Sequence, residues 1–303
     1  MIKIIDTYSQ IDLLYENGRF DLENWKVYAN AIYEELAEIL IEELNVYFTD
    51  GKFTFEKDFL PIILAAYKNR ELEALHESFH VVTNDLDSRV KQCFGKALNL
   101  DIVLYLGLGG SAGKVMTIKG KDVIFLGAEK IIELNWQRLD DMYGLIYHEL
   151  GHIFHKQYGV FEQVVNNNEQ EYVWQLFTEG IAMYFEQKLM NDYTYYHQDK
   201  NGWKAYCDAH FGQILRDFQK DLPSMDRMNQ RYFGDWAKYY GYGDTGYYLG
   251  ARFVQYLVTK YKFDCVINLP VEKVYDEYIK FVESINFLRE KGVEPPFVSV
   301  SQH

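Results

Sequence analysis

Apolar residues along this chain recur mostly with the period of a helix. Between residues 21 and 44, Trp25, Tyr28, Ile32, Leu36, Ile39 and Leu40 fall at helical spacing among glutamates, the pattern of one amphipathic helix. Two or three further helices are predicted between residues 57 and 98, so the first hundred residues are expected to be mostly helical. The texture changes at Asp101. Residues 101–106, 115–118 and 123–126 are short β-prone runs, the last two joined through Lys119-Gly120-Lys121-Asp122, which predicts a small sheet with a hairpin. Beyond Ile131 the helical period returns and persists nearly to the end, with breaks at residues 164–168, 191–201 and 222–224. The pattern predicts an α+β protein in which helices dominate. It divides into a helical N-terminal region (1–100), a core (101–260) and a helical C-terminal extension (261–303), with the whole chain as one compact unit as the alternative.

Composition narrows the setting. With 303 residues, 48% of them hydrophobic, the chain is long enough to bury a large core, and five prolines with no low-complexity tract leave no flexible linker. A net charge of −14 argues against the broad basic surface that sequence-independent nucleic-acid binding needs. No stretch approaches the length of apolar run that crosses a bilayer, and the first twenty residues lack the pattern of an export signal. Cys93, Cys207 and Cys265 lie too far apart for a C-x-x-C pair or a disulfide framework, so a cytoplasmic protein is expected, with neither membrane nor nucleic acid as partner. The 26 tyrosines read as boundary residues that pack their rings and keep their hydroxyls near water.

The glycines at 107, 109, 110 and 113, followed by Lys114, resemble a phosphate loop only in composition. That loop needs glycine five residues before the Gly-Lys pair and Ser or Thr after it; Leu108 and Val115 occupy those places, and a strand follows instead of a helix. A turn between strands is the better account.

Stronger chemistry lies in Tyr147-His148-Glu149-Leu150-Gly151-His152, an H-E-x-x-H segment within a helical pattern over residues 136–158 that Gly159 closes. Residues four apart share one face of a helix, so His148 and His152 can point at one zinc ion while Glu149 stands beside the open coordination position. Gly151, unfavourable in a helix interior, suggests close approach of another backbone or tight packing. A catalytic zinc site needs a third protein ligand. Glu179, in Phe177-Thr178-Glu179-Gly180-Ile181-Ala182, is the candidate, carried on a second helical stretch after the polar loop through Asn166, Asn167 and Asn168. His155 is the alternative, although it stands where the longer H-E-x-x-H-x-x-G-x-x-H pattern has its glycine. A second H-E-x-x-H occurs at His76-Glu77-Ser78-Phe79-His80, also in a predicted helix. It has no E-G-x-A segment nearby and no sheet in the residues just before it, so the copy at His148 is favoured. His76 and His80 read as a surface or partly buried pair, with a second metal site as the functional alternative.

On these motifs the chain resembles the gluzincin branch of zinc metallopeptidases, and looks most like predicted zinc-dependent proteases, over roughly residues 101–260. The resemblance implies a zincin-like fold: a small β-sheet packed on the active-site helix, a following helix carrying the third ligand, and a helical C-terminal lobe. The usual N-E-G-x-A run is here Thr178-Glu179-Gly180-Ile181-Ala182. Gly246-Tyr247-Tyr248-Leu249-Gly250 is similar to the Y-x-x-G segment whose tyrosine hydrogen-bonds the tetrahedral oxyanion, which implies that role for Tyr247, with Tyr248 as the neighbour that also fits. A G-x-M-E-N segment, which gluzincin aminopeptidases use to hold a substrate amino terminus, is missing. By the same resemblance the last strand before the active-site helix binds an extended peptide by strand addition. The expected activity is hydrolysis of a peptide or protein substrate by a zinc-activated water, with Glu149 as general base. The alternative is a binding or regulatory protein that keeps a zinc-peptidase fold without turnover.

Overall fold

The computed structural model describes residues 1–49, 51–227 and 229–292, and it is mostly helical with a small mixed sheet. The chain forms two compact units, Met1–Glu149 and the remainder from Leu150. The last residues of the expected C-terminal extension, 293–303, lie outside the described part.

The first unit begins with strand β1 (Ile2–Asp6), followed by the short pair β2 (Tyr15–Glu16) and β3 (Arg19–Phe20). Helix α1 (Leu22–Ile32) starts where the Asp21 carboxylate accepts from the backbone N–H groups of Glu23 and Asn24, which satisfies two of the donors a helix start leaves open. The amphipathic stretch expected as one helix is two. α1 ends at Tyr33, and α2 (Leu36–Val46) begins after Glu35, whose φ of 67° lies in the left-handed region. No glycine or proline marks this break. It coincides with one long-range contact, the Tyr33 hydroxyl donating to Asp101 at 2.6 Å, and one local contact, the Asn30 side-chain oxygen accepting from the backbone N–H of Ala37.

Helices α3 (Leu60–Ala66), α4 (Glu71–Thr83) and α5 (Leu86–Phe94) follow. The three expected strands then appear as β4 (Leu100–Tyr105), β5 (Gly113–Ile118) and β6 (Lys121–Gly127), with a tight hairpin between the last two. The sheet order is β1-β4-β6-β5; β1, β4 and β6 run parallel and β5 antiparallel to β6. Every residue of β4 is buried, which explains its nearly continuous apolar run. β1, five residues at the start of a region expected to be helical, is too short for its period to stand out, and its pairing partner is nearly a hundred residues away. α6 (Ala128–Glu133) leads to α7 (Leu139–Tyr158).

The glycine-rich segment is a turn between β4 and β5, and its amides do hold an anion: the chain's own Glu129. Its carboxylate accepts from the N–H groups of Gly107 at 2.8 Å and Gly109 at 2.9 Å. Gly107 has no room for a side chain, since a Cβ would stand 2.6 Å from a Glu129 oxygen, and Gly109 has a φ of +79°. Burial pushes the Glu129 carboxyl up, and the two amides pull it back.

Helix α7 continues into the second unit and stops at Tyr158, where Gly159 lies so close to the Ile267 carbonyl that a Cβ would stand 2.3 Å from it. α8 (Asn168–Met190) starts at Asn167, whose side-chain oxygen accepts from Gln170 N–H, and ends at Asn191 in the left-handed conformation. The remaining helices are α9 (Trp203–Asp221), α10 (Thr245–Val258), α11 (Phe263–Val266) and α12 (Val271–Glu290). Among the described residues no helix is long and apolar enough to cross a membrane, and the three cysteines are unpaired.

Candidate metal centre

His148 and His152 stand one turn apart on α7, both largely covered, and α8 brings the Glu179 carboxylate to 3.3 Å from the His152 Nε2. One ligand atom from each of His148, His152 and Glu179 lies within 4.8 Å of the others. A tetrahedral zinc ion with bonds of about 2.0–2.1 Å holds its ligand atoms about 3.3 Å apart, so the His152–Glu179 separation is that of a tetrahedron's edge. Two imidazoles and a carboxylate are a donor set suited to zinc.

The small residues around Glu179 have a packing reason. A Cβ on Gly151 of α7 would lie 2.6 Å from the Ala182 Cα, and one on Gly180 would lie 2.2 Å from the Gly250 carbonyl oxygen of α10. The E-G-x-A run therefore places α8 against α7 at Ala182 and against α10 at Gly180, with Glu179 next to the second contact. The close backbone approach expected at Gly151 is present.

Glu149 is buried in the first unit against strand β5. A Cβ on Gly113 would stand 2.6 Å from the Glu149 Oε1 and 2.9 Å from its Cγ, so the glycine makes the space the carboxylate fills. Gly113→Ala is expected to push this carboxylate aside and to lower any activity that depends on it by about tenfold or more, because a small misplacement of a catalytic group is costly. Equal turnover in this variant and the wild type, measured with unchanged circular dichroism, would show that the carboxylate's position is unimportant.

His155, the other candidate ligand, is fully buried among the rings of Phe161, Trp174 and Phe177. Burial, with His152 beside it, pushes its imidazole down to about 3, so it stays neutral as part of an aromatic cluster. Of the two tyrosines, Tyr248 is fully buried and donates to Asp208 at 2.7 Å. Tyr247 is half-buried on the first turn of α10, its ring edge-on to Phe233. Burial and then the charge of Asp235 push the Asp244 carboxyl up to about 7 against the pull of Lys238.

Sequence reasoning missed Glu186 and His197. Both are buried; the His197 Nδ1 is 3.0 Å from Glu186 Oε2, and its backbone N–H donates to the other carboxylate oxygen. With His148 they form a second group whose ligand atoms lie within 4.8 Å of one another. The available signal was position: Glu186 follows Glu179 by seven residues, two turns along the same face of α8.

Strand addition at β6, the last strand before α7, is ruled out by the sheet order, since β6 is paired on both sides; the edge strand beside it is β5. Compared with known proteins, the chain matches no family model, no curated protein and no solved structure.

Proposed function

We propose that the protein is a zinc metallopeptidase of zincin-like fold, with His148, His152 and Glu179 as metal ligands. The observation that carries this reading is the convergence of their three ligand atoms, next to a buried glutamate that follows the first histidine. A structural zinc site has no use for a carboxylate placed in this way, and that favours catalysis over binding alone.

A zinc ion held there supplies an acidified water and an electrophilic contact for the substrate carbonyl. Glu149 takes a proton from the attacking water and passes it to the leaving amine. Tyr247 donates its hydroxyl to the developing oxyanion, a contribution typically of about 3 kcal/mol for such a donor. β5, an edge strand of the sheet among the described residues, carries Gly113 next to Glu149 and suits an extended peptide laid alongside it as an added strand.

The test is digestion of a mixed peptide library read by mass spectrometry. New termini should appear with the purified protein, disappear after a chelator, and return when zinc is restored. A library left intact by zinc-loaded protein would overturn the reading.

A further inference from the structure

The first H-E-x-x-H segment does not belong to the centre on α7, but it is not an idle pair of histidines. His76 and His80 lie one turn apart on α4, and the end of β1 brings Asp6 up to both. The His76 Nε2 is 2.7 Å from Asp6 Oδ2, the His80 Nε2 is 3.0 Å from the same oxygen, and the two Nε2 atoms are 3.0 Å apart. With Asp6 as a carboxylate, no placement of protons on the two imidazoles satisfies all three contacts. Each contact to an ionised carboxylate requires its histidine nitrogen to be a donor, whereas the contact between the nitrogens requires one of them to be an acceptor. In every tautomer one edge sets two lone pairs or two N–H groups against each other. A cation at the centre satisfies all three edges at once.

The dimensions fit. Three donors mutually adjacent on an octahedron with bonds of about 2.1 Å stand about 3.0 Å apart, and two histidines with one carboxylate make a facial set that leaves the remaining positions to water. The ligands are also held in place from behind. The other oxygen of Asp6 accepts from the Tyr8 backbone N–H at 2.9 Å, which turns Oδ2 toward the histidines, and the Tyr8 ring stacks on His76 at 4.0 Å with its plane 12° away. His80 is exposed and His76 and Asp6 are partly so, which leaves an entry path.

We propose that Asp6, His76 and His80 form a second metal site, one for a first-row divalent ion held octahedrally, for which zinc serves as the probe, separate from the centre on α7. An ion there ties the N-terminal strand to α4. Unlike Glu149, Glu77 is exposed, and the site is assigned no reaction.

The experiment is a zinc titration of the chelator-stripped full-length protein, with bound equivalents counted by calorimetry and by metal analysis. His80→Ala removes an exposed side chain, and Asp6→Asn keeps the shape of the carboxylate, so neither should disturb folding as read by circular dichroism. Each is expected to lower the number of tightly bound equivalents by one relative to wild type, with affinity at this site falling more than about a hundredfold. His148→Ala removes the other equivalent. If the centre on α7 fails, the wild type binds one equivalent and the Asp6 and His80 variants none; if both stand, the counts are two and one. Wild-type stoichiometry in both variants, or a wild type that binds no zinc, would overturn the site.

Discussion

Glu149→Gln is expected to lower peptide hydrolysis by about 10²- to 10⁴-fold while zinc per chain stays at the wild-type value. The amide has the size of the carboxylate and fills the same space against Gly113, so the fold and the neighbouring ligands keep their places. What it cannot do is accept a proton from the attacking water. Turnover measured beside metal content separates the two roles a glutamate can have here. Unchanged turnover would remove Glu149 from the mechanism, and loss of zinc with turnover would make it a ligand in place of a base.

The second large effect concerns stability. Gly250→Ala places a Cβ 2.4 Å from the Leu176 carbonyl oxygen and 2.9 Å from the Gly180 nitrogen, all backbone atoms that no rotamer change can move. Alanine gains up to about 1 kcal/mol in helix propensity over glycine. Forcing two packed helices apart typically costs about 1–3 kcal/mol and sometimes more, and contact with main chain puts this case at the upper end. A net loss of about 2 kcal/mol is expected, visible as a fall in Tm of several degrees. Gly110→Ala is the control, because a Cβ there meets nothing within 4 Å. Equal melting temperatures for the two variants would show that α8 and α10 do not meet at these glycines. Because Glu179 precedes Gly180, weaker zinc binding should accompany the loss in Gly250→Ala.

The residues of the candidate metal centre and those of the sheet stand out in the sequence to different degrees. His148 and His152 are marked by spacing within one helix, a local property, and β4 to β6 by runs long enough to show a period. Glu179 stands out as the carboxylate of an E-G-x-A run on a second helical stretch after a polar loop, and the structure gives Gly180 and Ala182 a purpose in helix packing. β1 and the break between α1 and α2 were not readable, since both depend on partners far along the chain: Leu100–Leu104 for the strand, and Asp101 for Tyr33. Asp6 was invisible as a companion of His76 for the same reason, at a separation of seventy residues. His197 reaches Glu186 only through the loop that follows α8, whose path no periodicity describes.

The turn between β4 and β5 has a further consequence. Its amide cradle comes with a tethered carboxylate, whose effective concentration at the amides is set by a short covalent path and not by the solution. A free phosphate or nucleotide would have to displace Glu129 from Gly107 and Gly109 and leave a buried carboxylate short of two donors, a substitution disfavoured on both counts. The glycine cluster is thus a self-inhibited anion site, closed to the ligands its composition suggests. Its use to the protein is mechanical, as a clasp that fixes where β5, and with it Gly113, begins.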